Sequence, residues 1–362
     1  MDVQRHWMAG RQGTVQRSRP GPTRITRSSC LAAVLLGTGA ALLASACATI
    51  QHQQAKRQIQ HGEQLLEADE FEAALAAFQE AARLDPQLAL AHSKMGHVYR
   101  RLGDYEQAID CFVEAIRRDP YSFSDTSNLA QLYHFTNRIK DAIQAYLHAV
   151  ELRPRDFDTQ LNLGVCYQQT GDYGQAVERF QRAIEIDPNQ PHAYVDLGVA
   201  LDAQQKYYDA IRAYKEALER DSRQPLVLVN LAHTYINQER YRMALQALQQ
   251  AIEMDSGLAA AHEALGYCLF RMREFAAAER AYTQALACDS RLPRAHAGLG
   301  SIHMTFYLED QTRTDRRDRA LEHWHRSLEL HPDQPRVRKL IAQYTPKTGD
   351  PEQALLDERG QR

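Results

Sequence analysis

The chain has 362 residues, of which 44% are hydrophobic and 25% are charged, with a formal net charge of −3 at pH 7. These proportions are ordinary for a folded soluble protein, and they exclude both a largely disordered chain and a polytopic membrane protein. We therefore expect most of the chain to fold.

The N-terminal segment up to Ile50 combines six arginines with an uncharged stretch that runs from Ser28 to Ile50. Within this stretch, Leu31 to Ala44 has the length of an export-signal core, and the small residues up to Ala46 form a cleavage site followed by Cys47. The segment resembles a bacterial lipoprotein signal, which implies that Cys47 is lipidated and becomes the new N-terminus. Two alternatives stay open: an uncleaved signal anchor, because the uncharged stretch is long enough to span about 30 Å of hydrocarbon, and ordinary cleaved export.

All three alternatives keep the arginines in the cytoplasm and place the rest of the chain outside it. Ala48 stands where inner-membrane lipoproteins carry Asp, and resemblance to outer-membrane lipoproteins therefore implies an outer-membrane location in a Gram-negative host. We expect an exported protein that is anchored to a membrane and faces the periplasm. Removing residues 1–46 takes six Arg and one Asp from totals of 43 basic and 46 acidic side chains, and leaves a formal charge of −8. Such an acidic chain lacks the basic face that nucleic acids require, so no nucleic-acid partner is expected.

From residue 55 to residue 334 the same residue types recur with a period of about 34 residues, which is typical of helix-turn-helix repeats. The column of small residues is Gly62, Gly96, Ala130, Gly164, Gly198, Ala232, Gly266 and Gly300. A column of alanines runs through Ala74, Ala108, Ala142, Ala176, Ala210, Ala244 and Ala278. A column of large residues consists of Phe78, Phe112, Tyr146, Phe180, Tyr214, Leu248 and Tyr282.

These columns resemble the tetratricopeptide repeat. A small residue on the first helix and alanines on the second let the two helices approach closely, and the large residue fills the space between successive repeats. Each repeat leaves an apolar face that only its neighbour can cover. The resemblance implies an all-α, right-handed α-solenoid of eight repeats over residues 55–334, whose concave groove is lined by the first helices.

Helix boundaries follow the same period. Prolines end the second helices of the first four repeats, because proline cannot continue an α-helix: Pro86, Pro120, Pro154 and Pro188. Gly103 and Gly171 mark turns within repeats. In later repeats Ser222, Ser256 and Ser290 take the place of the proline, and we expect looser boundaries there.

The ends of the array depart from the period. The last repeat contains an insertion at about residues 304–319, a mixed-charge segment that either lengthens both helices or forms a loop. Residues 335–345 carry apolar residues at helical spacing, which predicts a capping helix over the last repeat. Residues 346–362 are predicted to be a disordered tail, and residues 47–54 a tether between the lipid and the array.

No pattern typical of an enzyme, a metal site or a cofactor site occurs in the sequence. His92, His262 and His296 lie in different repeats and are predicted to be packed helix residues, not ligands of one ion. His323 and His325 point to different sides of a helix, so we expect no chelation by this pair. The four scattered cysteines after the signal are predicted to be buried free thiols: Cys111, Cys166, Cys268 and Cys288.

One column of the groove carries amide and carboxylate side chains. This polar column consists of Asn128, Asn162, Asp196 and Asn230. It resembles the asparagines of tetratricopeptide superhelices that grip extended peptides, where each amide can bond both a peptide N–H and a C=O. Inheritance by repeat duplication alone is the alternative. The other predicted groove residues are Lys94, His97, Arg101, Gln131, His233 and Tyr267.

The sequence thus predicts a non-catalytic scaffold, tethered to a membrane of the bacterial envelope through Cys47 or a signal anchor, that binds extended segments of partner proteins during envelope, pilus or secretion assembly. Two alternatives stay open. The chain is the substrate-binding accessory subunit of an enzyme system such as a protein glycosyltransferase, or it is a scaffold that assembles with itself as a homo-oligomer. The repeat pattern does not identify the partner, because the positions that define the repeat are structural.

Overall fold

The computed structural model describes residues 27–346, with side chains from residue 47 onward. Within these residues every regular element is an α-helix. The helices are α1 (Arg27–Glu67), α2 (Phe71–Leu84), α3 (Ala89–Leu102), α4 (Tyr105–Arg118), α5 (Phe123–Phe135), α6 (Ile139–Leu152), α7 (Phe157–Gln169), α8 (Tyr173–Ile186), α9 (Pro191–Ala203), α10 (Tyr207–Arg220), α11 (Pro225–Asn237), α12 (Tyr241–Met254), α13 (Ala259–Arg271), α14 (Phe275–Cys288), α15 (Pro293–Glu309), α16 (Thr314–Leu330) and α17 (Pro335–Tyr344). The predicted signal before residue 27 and the predicted tail after residue 346 lie outside the described residues.

The chain divides into two compact units, Met1–Met95 and Gly96–Arg362. In the first unit α1 packs against α2. In the second unit each first helix from α5 to α15 packs against the helix that follows it, and each second helix from α6 to α14 packs against the first helix of the next pair. From α3 to α15 the first helices all begin at the same position of the repeat, and so do the second helices from α2 to α14. The predicted all-α solenoid of tandem helix pairs is confirmed.

Each glycine of the column of small residues is in close contact with the large residue of the same repeat. A Cβ atom on Gly164 would lie 2.6 Å from Cε1 of Phe180, and one on Gly198 would lie 2.6 Å from Cε1 of Tyr214. Both rings are almost completely buried. Where the large residue is aromatic, its ring therefore packs against the first helix of its own repeat, at a separation that only a small residue permits.

The turn inside each repeat, except the last, has a residue with left-handed backbone at the same position. The residues with positive φ recur once in each repeat, and they are Asp69, Gly103, Asn137, Gly171, Gln205, Glu239 and Arg273. In this arrangement the following backbone N–H bonds a carbonyl in the last turn of the first helix, as in Asp104 N to Tyr99 O at 2.9 Å. Only the two glycines of this set were predictable as turns. The other residues adopt the left-handed conformation because the packed helices impose it.

The turns between repeats depend on aspartate as well as on proline. The carboxylate of Asp221 accepts a hydrogen bond from Arg223 N at 3.0 Å, and that of Asp289 accepts one from Arg291 N at 2.9 Å. The same bond occurs where proline follows, from Tyr121 N to Asp119. The expectation of looser boundaries in the later repeats is therefore wrong, because the aspartate holds the turn without the proline.

The insertion in the last repeat lengthens both of its helices. α15 and α16 have 17 residues each, against 13 in α13 and 14 in α14. Trp324 occupies the position of the large column, 1% exposed, and lies on Gly300 while its Nε1 donates to Ala297 O at 3.3 Å. α17 packs against α16, and its Val337 joins the same apolar cluster.

Residues 47–54 lie inside α1 and are helical. The helix contacts the rest of the first unit from His52 onward: His52 Nδ1 lies 2.6 Å from Asp85 Oδ2, and Ala55 and Ile59 are buried. Among the predicted thiols, Cys166 and Cys268 are buried and Cys111 is half-buried, all of them free. The prediction is wrong for Cys288, which is exposed because it lies at the last residue of α14.

Candidate binding groove

One face of the second unit is formed by the first helices of successive repeats. α7 contacts α9, α9 contacts α11, α11 contacts α13, and α13 contacts α15. No comparable contact joins successive second helices in the described part of this unit. Helices that converge on one side line the inner, concave side of a curved array. We call the surface formed by α5, α7, α9, α11, α13 and α15 the groove.

The polar column lies along the groove, and its members differ in their partners. Asn128 is already engaged, because its Oδ1 accepts from Arg100 Nη1 at 2.7 Å and its Nδ2 donates to Ser124 O at 2.7 Å. The half-buried amides of Asn162 and Asn230 make no hydrogen bond with other described residues. These two amides therefore have donors and acceptors available for a ligand, whereas those of Asn128 bond within the protein.

Asp196 is the one acidic member of the polar column. Burial raises the pKa of its carboxyl to about 6, and nearby His192 partly offsets this effect. The carboxylate is half-buried between Asn162 and Asn230 in the column. Near neutral pH it adds a negative charge to the middle of the groove.

The other predicted groove residues occupy different environments. Lys94 belongs to the first unit, where its Nζ pairs with Glu63 Oε1 at 2.6 Å. In the second unit, the half-buried His97 packs edge-on against the ring of Phe112, 5.1 Å between centroids. Arg101 and Gln131 are exposed, and His233 and Tyr267 are half-buried.

A pocket of about 330 Å³ opens at the α13–α15 end of the groove. Three aromatic residues line this pocket: Tyr267, Phe270 and Tyr282. Two arginines line it as well, Arg294 on α15 and Arg336 on α17. Only Tyr267 was predicted as a site residue. Arg294 and Arg336 share one repeat position once the eight inserted residues are counted, so correcting the register for the insertion would have revealed the pair.

The last repeat also brings three histidines together, His296, His303 and His323. His296 Nδ1 lies 3.0 Å from His323 Nδ1, and the rings of His303 and His323 stack with centroids 5.5 Å apart. His303 Nδ1 accepts from Arg316 Nη1 at 2.8 Å. If His296 donates through Nε2 to Ser290 O, at 3.3 Å, its Nδ1 accepts from His323. The residues from 47 to 346 contain no group of three or more His, Cys, Asp or Glu that could hold a metal ion.

We expect acid to destabilise the last repeat through His323. Burial, together with His296 and His303, lowers the pKa of His323 to about 4, whereas the unfolded value is near 6.5. The unfolded chain therefore binds the proton first, so stability is fully present above about pH 6.5 and falls as the pH falls towards about 4. Trp324 fluorescence during urea unfolding at pH 7 and pH 5 measures the effect. His323→Phe should reduce the difference, the exposed control His325→Phe should keep it, and equal behaviour of both variants would contradict the assignment.

None of the helices described for this chain is both long enough and apolar enough to cross a membrane. Cys47, the predicted lipidation site, is exposed on α1.

Comparison with known proteins adds to this geometry. No curated protein gave a match. Among solved structures, the C-terminal part of a tetratricopeptide-repeat protein from Cytophaga hutchinsonii is 17% identical with a TM-score of 0.55, over 67% of this chain and 99% of that chain. A chain of the APC/C hetero-tetramer Cut9-Hcn1 is 16% identical with a TM-score of 0.53, over 76% of this chain and 53% of that chain. MamA is 23% identical with a TM-score of 0.45, over 47% of this chain and 93% of that chain.

The similarities to the Cytophaga protein and to Cut9-Hcn1 show the fold, and they agree with the resemblance drawn from the residue columns. The family described as Cilia and flagella-associated protein 70 C-terminal domain matches residues 43–298, which include most of the helix pairs. The tetratricopeptide assignment is confirmed, and the chain belongs to this family.

Proposed function

We propose that the protein is a scaffold that captures an extended segment of a partner protein in the groove. The observation that carries the proposal is the pair of unbonded amides, Asn162 on α7 and Asn230 on α11, at a repeat position where the amide of Asn128 is already bonded within the protein. An extended peptide backbone offers an N–H and a C=O at each residue, and one amide side chain can satisfy both. Asparagine is also unfavourable inside a helix, so its recurrence there fits a role in binding.

The proposed scaffold acts without catalysis of its own. Asp196 and the histidines of the last repeat have shifted pKa values because they are buried, and burial alone does not create a reactive pair. We propose that these side chains with shifted pKa values act in folding and in contact with the ligand.

We further propose that lipid on Cys47 anchors the protein to a membrane of the bacterial envelope, facing the periplasm, where it assists the assembly of envelope structures. The sequence pattern around Cys47 supports this location, and the exposure of Cys47 on α1 fits access by a modifying enzyme. Outer-membrane sorting in a Gram-negative host follows from Ala48 in the same pattern.

The double variant Asn162→Ala, Asn230→Ala is expected to weaken partner capture at least tenfold. Each side chain would lose up to two hydrogen bonds to the partner backbone, and two such losses amount to about 2 kcal/mol. Tagged full-length protein is used to capture partners from detergent-solubilised membranes, and the recovered proteins are quantified by mass spectrometry. Circular dichroism is expected to show unchanged helicity.

The control variant is Asn189→Ala, which alters an exposed asparagine in the turn before α9. It should capture the same proteins in the same amounts as the unaltered chain. Equal capture by the double variant and the control would remove the role of these amides, and the scaffold proposal would lose its main support.

A further inference from the structure

The pocket at the α13–α15 end of the groove is open because the residues of one repeat position become smaller along the chain. The position that holds Asn230 on α11 holds Ala264 on α13 and Gly298 on α15. A Cβ atom on Gly298 would overlap the ring of Tyr282. The absence of a side chain at Gly298 therefore leaves the ring of Tyr282 as part of the pocket wall, next to Tyr267 and Phe270. A cavity of about 330 Å³ with three aromatic residues in its wall suits one large apolar side chain.

The pocket carries more positive than negative charge. Arg294 lies 3.5 Å from Glu263 through its Nε, but its side chain is 68% exposed and its other guanidinium donors remain available. Arg336 is exposed and pairs with no other residue of the described chain. Glu263, whose side chain is 13% exposed, is the one acidic residue in the wall. Two arginines against one carboxylate leave an unmatched positive charge where the pocket opens.

We propose that this pocket binds an extended protein segment in which a large apolar residue and an acidic residue lie two positions apart. The apolar side chain enters the pocket over Tyr282, and the carboxylate binds Arg294 and Arg336. Two positions apart in an extended chain, side chains point to the same side and lie about 7 Å from each other. This inference rests on the proposed capture of extended segments, and it identifies the chemistry of the segment.

The probe is a library of random short peptides displayed on phage and selected on the full-length protein in detergent. We expect enriched peptides to share a large apolar residue with Asp or Glu two positions away. A fluorescein-labelled synthetic copy of an enriched peptide is then titrated by anisotropy. Arg294→Glu combined with Arg336→Glu should weaken its binding at least tenfold, because both changes replace a positive charge that faces the peptide carboxylate with a negative one. Arg291→Glu, in the exposed turn of the same repeat, is the control and should leave binding unchanged.

Two changes in the peptide complete the test. Glu→Gln (or Asp→Asn) in the peptide should weaken binding to the unaltered protein but not to the double charge variant, whereas amidation of the peptide C-terminus should have no effect. Sensitivity to amidation alone would overturn the inference in favour of a free terminal carboxylate. Binding that responds to Asn162→Ala, Asn230→Ala but not to the arginine variants would overturn the pocket inference and leave the groove proposal standing. Binding that responds to neither pair of variants would overturn both.

Discussion

Gly164→Val is expected to lower the free energy of unfolding by about 3 kcal/mol. Even a single Cβ atom at residue 164 would lie 2.6 Å from Phe180 Cε1 and 2.8 Å from Cδ1, inside the contact distance of carbon atoms. Phe180 is completely buried, so its ring has no free space into which to move. Alanine does occur in this column, at residues 130 and 232, but no repeat has a β-branched residue there. Urea denaturation followed by circular dichroism measures the loss.

The matched control is Gly174→Val in the first turn of α8. The nearest atom to a Cβ at this site is Asp172 Oδ1 at 3.6 Å, an ordinary contact distance, and the residue is exposed. The midpoint of this variant should stay close to that of the unaltered chain. If Gly164→Val unfolds at the same urea concentration as Gly174→Val, the close approach of α7 and α8 does not depend on the missing side chain.

Cys47→Ser is expected to move the protein from the membrane fraction to the soluble fraction of a Gram-negative host. The hydroxyl of serine does not accept the lipid that the thiol of Cys47 is proposed to carry. A stably anchored lipoprotein carries at least two acyl chains, and the loss of both removes nearly all membrane affinity. Membrane flotation measures the distribution, and mass spectrometry of the mature N-terminus identifies the modification.

Cys288→Ser is the control, because Cys288 is also exposed but lies at the end of α14. This variant should float with membranes as the unaltered protein does. Retention of Cys47→Ser at the membrane together with an intact residue 1 would exclude the lipid anchor and favour an uncleaved signal anchor. Release of the unaltered protein as a soluble chain would favour ordinary export.

The fold could be predicted in detail because its main contacts repeat. Gly164 and Phe180 belong to columns that recur at the spacing of one repeat, and a contact required in every repeat leaves the same residue types in every repeat. The same logic failed at the turns between later repeats. There the absence of proline was expected to loosen the boundary, whereas the carboxylate of residues such as Asp221 accepts a backbone hydrogen bond in the turn that follows the helix.

The candidate site was less predictable because it depends on side-chain partners, not on periodic positions. Asn128 and Asn162 occupy the same column, yet Arg100 engages the first amide and nothing within the described chain engages the second. The insertion in the last repeat also displaced Arg336 from the simple period, which hid its relation to Arg294. It likewise brought His323 beside His296 and His303, residues whose spacing in the sequence gives no sign of contact.

The continuity of α1 has a consequence for how far the protein can reach. From Cys47 to Gln54, just before the buried Ala55, the chain already belongs to the same helix, and this segment is about 12 Å long at roughly 1.5 Å per residue. With a lipid on Cys47, a short helical segment, and not a flexible linker, would join the bilayer to the first repeat. The proposed lipid would therefore hold the first repeat close to the bilayer, because a short helical segment allows less movement than an extended linker.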